Sequence, residues 1–290
     1  MGRFAPSPTG GLHLGSLYTA AASFLDARSH GGRWLVRMED VDRAREVPGA
    51  AAGILRTLEA FGFEWDAQVL RQSDRSDHYA AAIERLRARG LTFECSCSRQ
   101  DLVGEGRYPG HCRGGPRDSS VATATRLKIE PQSITFDDRI QGSYGQDVAS
   151  VVGDAILRRR DGLFAYLLAV VVDDAAQGVT HVVRGADLLV DTPRQIYLQR
   201  SLALPTPRYA HVPVLVESDG SKLAKSTRST PARESRLQNQ LLKVLQLLEM
   251  GPPSTLQGAP VGEIWQWAHA HWASNGLRER PLRELRVQDG

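Results

Sequence analysis

The chain has 290 residues, enough for one large domain with a smaller insert or for two modest ones. Apolar residues make up 41% and charged residues 24%, the mix of an ordinary globular chain, and a net charge of +3 neither demands nor excludes a nucleic-acid partner. No apolar run approaches the ~20 residues of a membrane span, and the opening MGRFAPSPTG lacks a basic-then-apolar signal pattern, so no membrane partner and a cytoplasmic location are expected.

In chain order, the first half alternates as a parallel α/β sheet does. Arg3 to Ala5 reads as a strand, PSPTGG as a turn, and Leu12 to Ser29 as a helix favoured by Ala20, Ala21 and Ala22. Trp34 to Met38 is a strand, followed by the acidic cluster Glu39, Asp40 and Asp42. Val47–Phe61 and Arg75–Arg89 show helical amphipathicity. Around Glu94 the composition shifts to glycine, proline and arginine without apolar periodicity. The chain's three cysteines, Cys95, Cys97 and Cys112, all fall there. A segment that cannot bury a core needs another staple, and crowded thiols point to a metal rather than to a disulfide framework. Three thiols plus one further ligand make a structural Zn2+ site, and by ligand chemistry alone His111 would be the fourth.

Thr123–Ile129, Ser133–Asp138 and Asp147–Val152 read as short strands. The α/β rhythm then resumes with a helix at Phe164–Asp174, a strand at Val179–Val183 and a helix at Thr192–Leu202, with Thr192 as N-cap and Pro193 after it. A strand at Val212–Val216 precedes the loop SKLAKS. Helices follow around Leu237–Leu248 and Ile264–Trp272, and the arginine-rich end RERPLRELRVQDG reads as loosely ordered. The expected architecture is α/β, a Rossmann-like doubly wound parallel sheet with a small zinc-bearing insert and a short helical C-terminal region. The boundaries are 1–93 and 151–230 for the two halves of the α/β domain, 94–150 for the insert and 231–290 for the helices.

Two constellations carry chemistry. In the first, Pro6-Ser7-Pro8-Thr9-Gly10-Gly11-Leu12-His13-Leu14-Gly15-Ser16, a strand ends in a turn and His13 and Gly15 open a helix. A helix N-terminus offers free N–H groups and positive partial charge to phosphate. In the second, Lys222-Leu223-Ala224-Lys225-Ser226, two lysines on a loop can neutralise phosphate charge in a chain that otherwise has only Lys128 and Lys243. Together they resemble the two signatures of the class I aminoacyl-tRNA synthetases.

Arg3-Phe4-Ala5-Pro6-Ser7-Pro8-Thr9-Gly10, Arg37-Met38-Glu39-Asp40-Val41-Asp42 and His181-Val182-Val183-Arg184-Gly185-Ala186-Asp187 narrow the resemblance to the glutamyl-tRNA synthetases. Cys95-Ser96-Cys97 with Tyr108 and Cys112, the run Asp191 to Leu198, and the stretch 227–290, too short for an anticodon-binding region, resemble the truncated glutamyl-Q tRNA(Asp) branch of that family. The resemblance implies ATP-dependent, tRNA-independent activation of L-glutamate, then transfer to queuosine-containing tRNA(Asp), by a monomer. The alternatives are a compact glutamyl-tRNA synthetase charging the tRNA 3′ end and a small-molecule nucleotidyltransferase.

It further implies that Arg3, Phe4, Ala5, Pro6, Ser7, Glu39, Tyr166 and Arg184 bind glutamate. His13, Gly15, Ser16, Lys222 and Lys225 would hold ATP with its Mg2+, and His13 and Lys225 would act in catalysis. Cys95, Cys97, Tyr108 and Cys112 would hold one structural Zn2+. Asp42, Asp173 and Asp187 are secondary candidates, and ion pairing of Arg3 with Asp40 or Asp42 is the structural alternative for that arginine.

Overall fold

The computed structural model describes residues 1–98, 100–102, 107–216, 234–272 and 284–286. In chain order the elements are β1 (Gly2–Phe4), α1 (Leu14–Ser29), β2 (Trp34–Met38), α2 (Ala50–Ala60), β3 (Leu70–Arg71), α3 (Ser76–Ala88), β4 (Thr92–Cys95), β5 (Ala124–Leu127), β6 (Ser133–Asp138), β7 (Gly142–Asp147), α4 (Val148–Val151), β8 (Ala155–Arg158), α5 (Tyr166–Ala176), β9 (His181–Gly185), α6 (Thr192–Ser201), β10 (Arg208–Val212), β11 (Val214–Val216), α7 (Glu234–Leu247), α8 (Val261–His271) and β12 (Glu284–Arg286).

β1, β2 and β3 pair in parallel, as do β9 and β10. The Met1 carbonyl accepts from the Thr180 and His181 amides at 3.0 and 3.1 Å and lays β9 beside β1. The strands therefore run β3-β2-β1-β9-β10, with the chain winding outward from β1 and from β9 in opposite directions. Such a switch point opens a crevice at the carboxyl ends of the two central strands. α1 starts there and is buried along most of its length, with Ala20, Ala21, Ala22 and Leu25 fully covered. Its small side chains let the helix fit between the sheet and α7 and α8.

Those C-terminal helices share the core of the first half. Phe24, Trp34, Phe63 and Trp265 interlock with ring centroids 5.0–5.6 Å apart, and Trp265 donates its indole N–H to the Phe61 carbonyl at 2.7 Å. Burial of each such side chain contributes ~1.5–3 kcal/mol. A second core joins α3, β8, α5, β9 and α6 through Ile83, Leu86, Leu157, Leu168, Val182 and Ile196.

The insert is antiparallel. β4, β5 and β8 form one sheet and β6–β7 a hairpin, which docks on the first half where Arg139 forks onto Asp26 of α1 at 2.6 and 2.8 Å.

Four expectations need correction. Val148–Val151 is a helical turn and not a strand, because the Asp147 side chain caps it by accepting from the Ser150 amide at 2.9 Å. The strand expected over Val212–Val216 breaks at Pro213, which has no N–H to give a ladder. Thr192 is inside α6, Asp191 holds the N-cap position, and the Thr192 hydroxyl instead donates to the Leu188 carbonyl at 3.1 Å. Finally, Glu284–Arg286 is not loose chain but a strand in parallel register with Val214–Val216.

Candidate active site

The crevice at the ends of β1, β2 and β9 is lined by charges that strands ordinarily exclude. Arg3, Arg37 and Arg184 are 3%, 0% and 4% exposed. Buried charges persist only when paired, and here the partner comes from α5. Asp174 accepts from Arg37 Nη1 at 2.7 Å and from Arg3 Nε at 3.3 Å. Arg37 also reaches Glu39 at 3.3 Å and Gln177 at 2.9 Å. Burial works against charge on Arg37, yet Asp174 and Glu39 hold its pKa above the ordinary guanidinium value. Burial also opposes ionisation of Asp174, and Arg3 and Arg37 outweigh it, so its pKa is lowered. For Glu39 burial wins over the pull of Arg37 and Arg3, and its pKa is raised.

Tyr166, the first residue of α5, stands in the same field. Burial and then the Glu39 carboxylate push its phenol pKa up, against the Arg184 and Arg3 guanidiniums. Arg3, Glu39, Tyr166 and Arg184 are thus brought to one place. Phe4 is buried beneath them, while Ala5 and Pro6 are half-buried and Ser7 is exposed on the turn that follows β1. The Pro6 carbonyl accepts from the Glu39 amide at 2.9 Å, so this turn fixes the backbone carrying Glu39.

Arg184 is held differently from the other two guanidiniums. Its Nε donates to His211 Nε2 at 3.0 Å and its Nη2 to Thr192 Oγ1 at 2.8 Å. Among the described residues no carboxylate lies at ion-pair distance from it. His211 is fully buried and sits 2.5 Å from Asp138 through Nδ1. Burial, with Arg184 adding to it, depresses this imidazole to about 4 despite the opposing carboxylate of Asp138. His211 is therefore neutral at pH 7.

At the head of α1, His13 occupies the N-cap position in extended conformation but makes no side-chain cap, and the first turn contains no acidic residue. The positive end of the helix is offered to the crevice with Gly15 and Ser16 in that turn. A Cβ at Gly15 would come within 3.2 Å of the His13 ring, so any larger residue would push the imidazole aside. Lys222, Lys225 and Ser226 lie outside the described residues.

The three cysteine Sγ atoms lie within 4.8 Å of one another, all buried. Cys97 and Cys112 Sγ are 3.6 Å apart, close to the ~3.8 Å edge of a tetrahedral zinc–thiolate site. The Tyr108 hydroxyl is 3.3 Å from Cys95 Sγ and accepts from the Cys112 amide at 2.9 Å, whereas His111 is exposed. Tyr108 is fixed by a bridge to Gly153, whose φ of +68° and 2.5 Å Cβ approach to the Tyr108 carbonyl admit only glycine, and by Arg126 stacked 3.8 Å above its ring. Burial raises the Cys112 thiol, but the Arg117 amide, the Tyr108 hydroxyl and the Ser96 amide outweigh it and bring the thiol down to about 6. Phe93 completes a cluster too small to stand as a core of its own. The donor set fits Zn2+.

Two of the secondary candidates, Asp173 and Asp42, are held in hydrogen bonds and ion pairs of the fold. Asp173 accepts from Tyr79 at 2.7 Å, Gln72 at 2.9 Å and Arg75 at 2.5 Å, and Asp42 pairs with Arg159 at 2.8 Å. Asp187 lies where a Cβ on Gly185 would meet it at 2.6 Å. Arg3 pairs with neither Asp40 nor Asp42; Asp40 instead accepts from the Ser73 amide and hydroxyl, each at 2.9 Å. Sequence reasoning missed Arg37, Asp138 and His211 as site residues. A lone arginine in the apolar strand WLVRM was the available signal for Arg37; His211 and Asp138 gave none.

The sequence model described as tRNA synthetases class I (E and Q), catalytic domain, matches residues 1–252. The chain is 53% identical over 290 residues to a glutamyl-Q tRNA(Asp) synthetase of Ectopseudomonas mendocina, covering 99% of this chain and 98% of that relative. It belongs to the glutamyl-Q tRNA(Asp) synthetase family. A second relative of that name, from Thiobacillus denitrificans, is 54% identical over 289 residues, covering 97% of this chain and 96% of its own. A solved glutamate tRNA ligase from Elizabethkingia meningosepticum, in complex with its amino acid, shares the fold with a TM-score of 0.77 at 23% identity. That alignment covers 94% of this chain, which spans 64% of that ligase. The glutamyl-Q tRNA(Asp) synthetase family thus carries the class I catalytic fold, and among the described residues no helix is long and apolar enough to cross a membrane.

Proposed function

We propose that this chain joins L-glutamate to ATP without tRNA, forming glutamyl-adenylate, and passes the glutamyl group to the queuosine base at the wobble position of tRNA(Asp). The observation that carries the first half is the convergence of Arg3, Glu39, Tyr166 and Arg184 beside the uncapped N-terminus of α1. The names of the relatives carry the second half.

Glutamate brings two carboxylates and one ammonium. Arg3 and Arg184 supply guanidinium forks and Glu39 a carboxylate for the ammonium, while Tyr166 closes the pocket and the backbone from Phe4 to Ser7 shapes its wall. The α-carboxylate attacks the α-phosphate of ATP, a P–O bond forms, and pyrophosphate leaves with the electron pair of the bond that breaks. Little proton transfer is needed, so alignment and charge stabilisation dominate. ATP arrives as its Mg2+ complex. The start of α1, with His13, Gly15 and Ser16, receives its phosphates, and Lys222 and Lys225, outside the described residues, would supply cations to them.

Zn2+ held by Cys95, Cys97, Cys112 and Tyr108 would serve the insert as a staple. Elemental analysis is expected to find one zinc per chain in the wild type and far less in purified Cys95→Ser. Retention of a full equivalent contradicts the ligand set. The chain would act as a cytoplasmic monomer, with α7 and α8 bracing α1.

The activating half is tested by ATP–pyrophosphate exchange with no RNA present. Exchange that needs glutamate and no tRNA is expected. Exchange that starts only when tRNA(Glu) is added would make the protein a compact glutamyl-tRNA synthetase, and exchange indifferent to glutamate would make it a small-molecule nucleotidyltransferase.

A further inference from the structure

The imidazole behind Arg184 has a donor–acceptor pattern that only one arrangement of protons satisfies. Asp138, at the end of β6, uses Oδ1 to accept three backbone N–H groups, those of Ile140 at 3.0 Å, Gln141 at 2.8 Å and His211 at 3.1 Å. Its other oxygen, Oδ2, faces His211 Nδ1 at 2.5 Å. A carboxylate can only accept, so the ring must carry its proton on Nδ1. Nε2 is then a bare lone pair, and it faces the Arg184 Nε–H at 3.0 Å, with the Thr192 hydroxyl at 3.2 Å. Phe136 and the stacked ring of Tyr209, with centroids 6.4 and 6.0 Å away, wall the imidazole off.

We propose that Asp138 locks His211 as the Nδ1–H tautomer, and that His211 thereby positions the Arg184 guanidinium for a carboxylate of the amino-acid substrate. This rests on the reading of the crevice as a glutamate site and adds two positioning residues to it. His211 on Nε and the Thr192 hydroxyl on Nη2, with the Leu188 carbonyl 3.5 Å from the same Nη2, hold one edge of the guanidinium and fix its plane. A planar fork held along one edge presents the remaining N–H groups in a set direction, which bidentate recognition of a carboxylate requires. A direct carboxylate partner at the same place would have neutralised Arg184. The neutral imidazole holds it without spending its charge, and Asp138 stays one ring further away. Burial and Arg184 keep that ring uncharged at working pH.

The test uses Asp138→Asn, which preserves shape. Three N–H donors converge on the Oδ1 position, so the amide oxygen must turn there and the NH2 must face His211 Nδ1. The ring is driven to the Nε2–H tautomer, and that hydrogen collides with the Arg184 Nε–H. In glutamate-dependent ATP–pyrophosphate exchange the expected result is a glutamate KM raised by about tenfold or more, with the ATP KM and kcat near wild type. His211→Asn keeps a donor to Asp138 and ends short of Arg184, so it shows the same split. Independently of activity, nitrogen NMR of the histidine-labelled wild type shows His211 protonated at Nδ1 and bare at Nε2.

An Nε2–H signal in the wild type, an unchanged glutamate KM in Asp138→Asn, or equal rises in the glutamate and ATP KM values would each overturn the proposal. If Asp138→Asn does not fold, His211→Asn and the wild-type spectrum decide. A wild type without glutamate-dependent exchange would overturn the reading of the site instead, while the tautomer spectrum would still report on Asp138 and His211.

Discussion

Arg184→Ala raises the glutamate KM by at least ~30-fold while leaving the ATP KM nearly unchanged, because truncating one partner of a buried charged contact costs ~2–5 kcal/mol. The direction follows from how the three crevice guanidiniums are held. Arg3 and Arg37 share Asp174, so part of their charge is already answered within the fold. Among the described residues Arg184 is bound to neutral acceptors, His211, Thr192 and the Leu188 carbonyl, and its charge is left for the substrate. Removing it also strands the lone pair of His211, so Arg184→Lys is the useful companion. A lysine keeps the charge and loses the fork, and it recovers only part of the affinity. Steady-state exchange kinetics at varied glutamate and varied ATP check both variants. Equal effects on the two substrates would count against a carboxylate role.

The second large effect is expected in kcat. His13→Ala lowers the rate of exchange by about 10²–10³-fold, the usual loss when one preorganised donor to developing charge is removed. The fold should be spared, because the His13 side chain does not cap α1 and its loss forfeits no cap bond. A thermal melt near that of the wild type alongside a collapsed rate is the signature. A rate unchanged by the substitution would remove the phosphate assignment from the head of α1. Lys225→Ala acts in the same direction through loss of a cation from the phosphates.

The order of elements was legible in the sequence because local signals set it. Proline and glycine punctuate the turns, apolar periods of 2 and 3.6 mark strands and helices, and β2 at Trp34–Met38 matched its expected range to the residue. What escaped depends on distant partners. Arg37 is buried in β2 only because Asp174, 137 positions away, arrives on α5 to neutralise it. His211 reads as one more residue of a strand until Asp138, 73 positions away, closes on its Nδ1. β12 exists only against β11, so its composition alone looked like loose chain. The choice between His111 and Tyr108 likewise could not be made from ligand chemistry. In the fold Gly153 lets the Tyr108 backbone approach, which brings the phenol beside the thiols, while His111 is exposed.

Transfer to the modified base is decided by offering labelled glutamate and ATP with tRNA(Asp) that carries queuosine and with tRNA(Asp) that lacks it. Label is expected on the queuosine-containing tRNA(Asp) alone. Label that appears on both, or that sits as an ester at the 3′ end of tRNA(Glu), would contradict it.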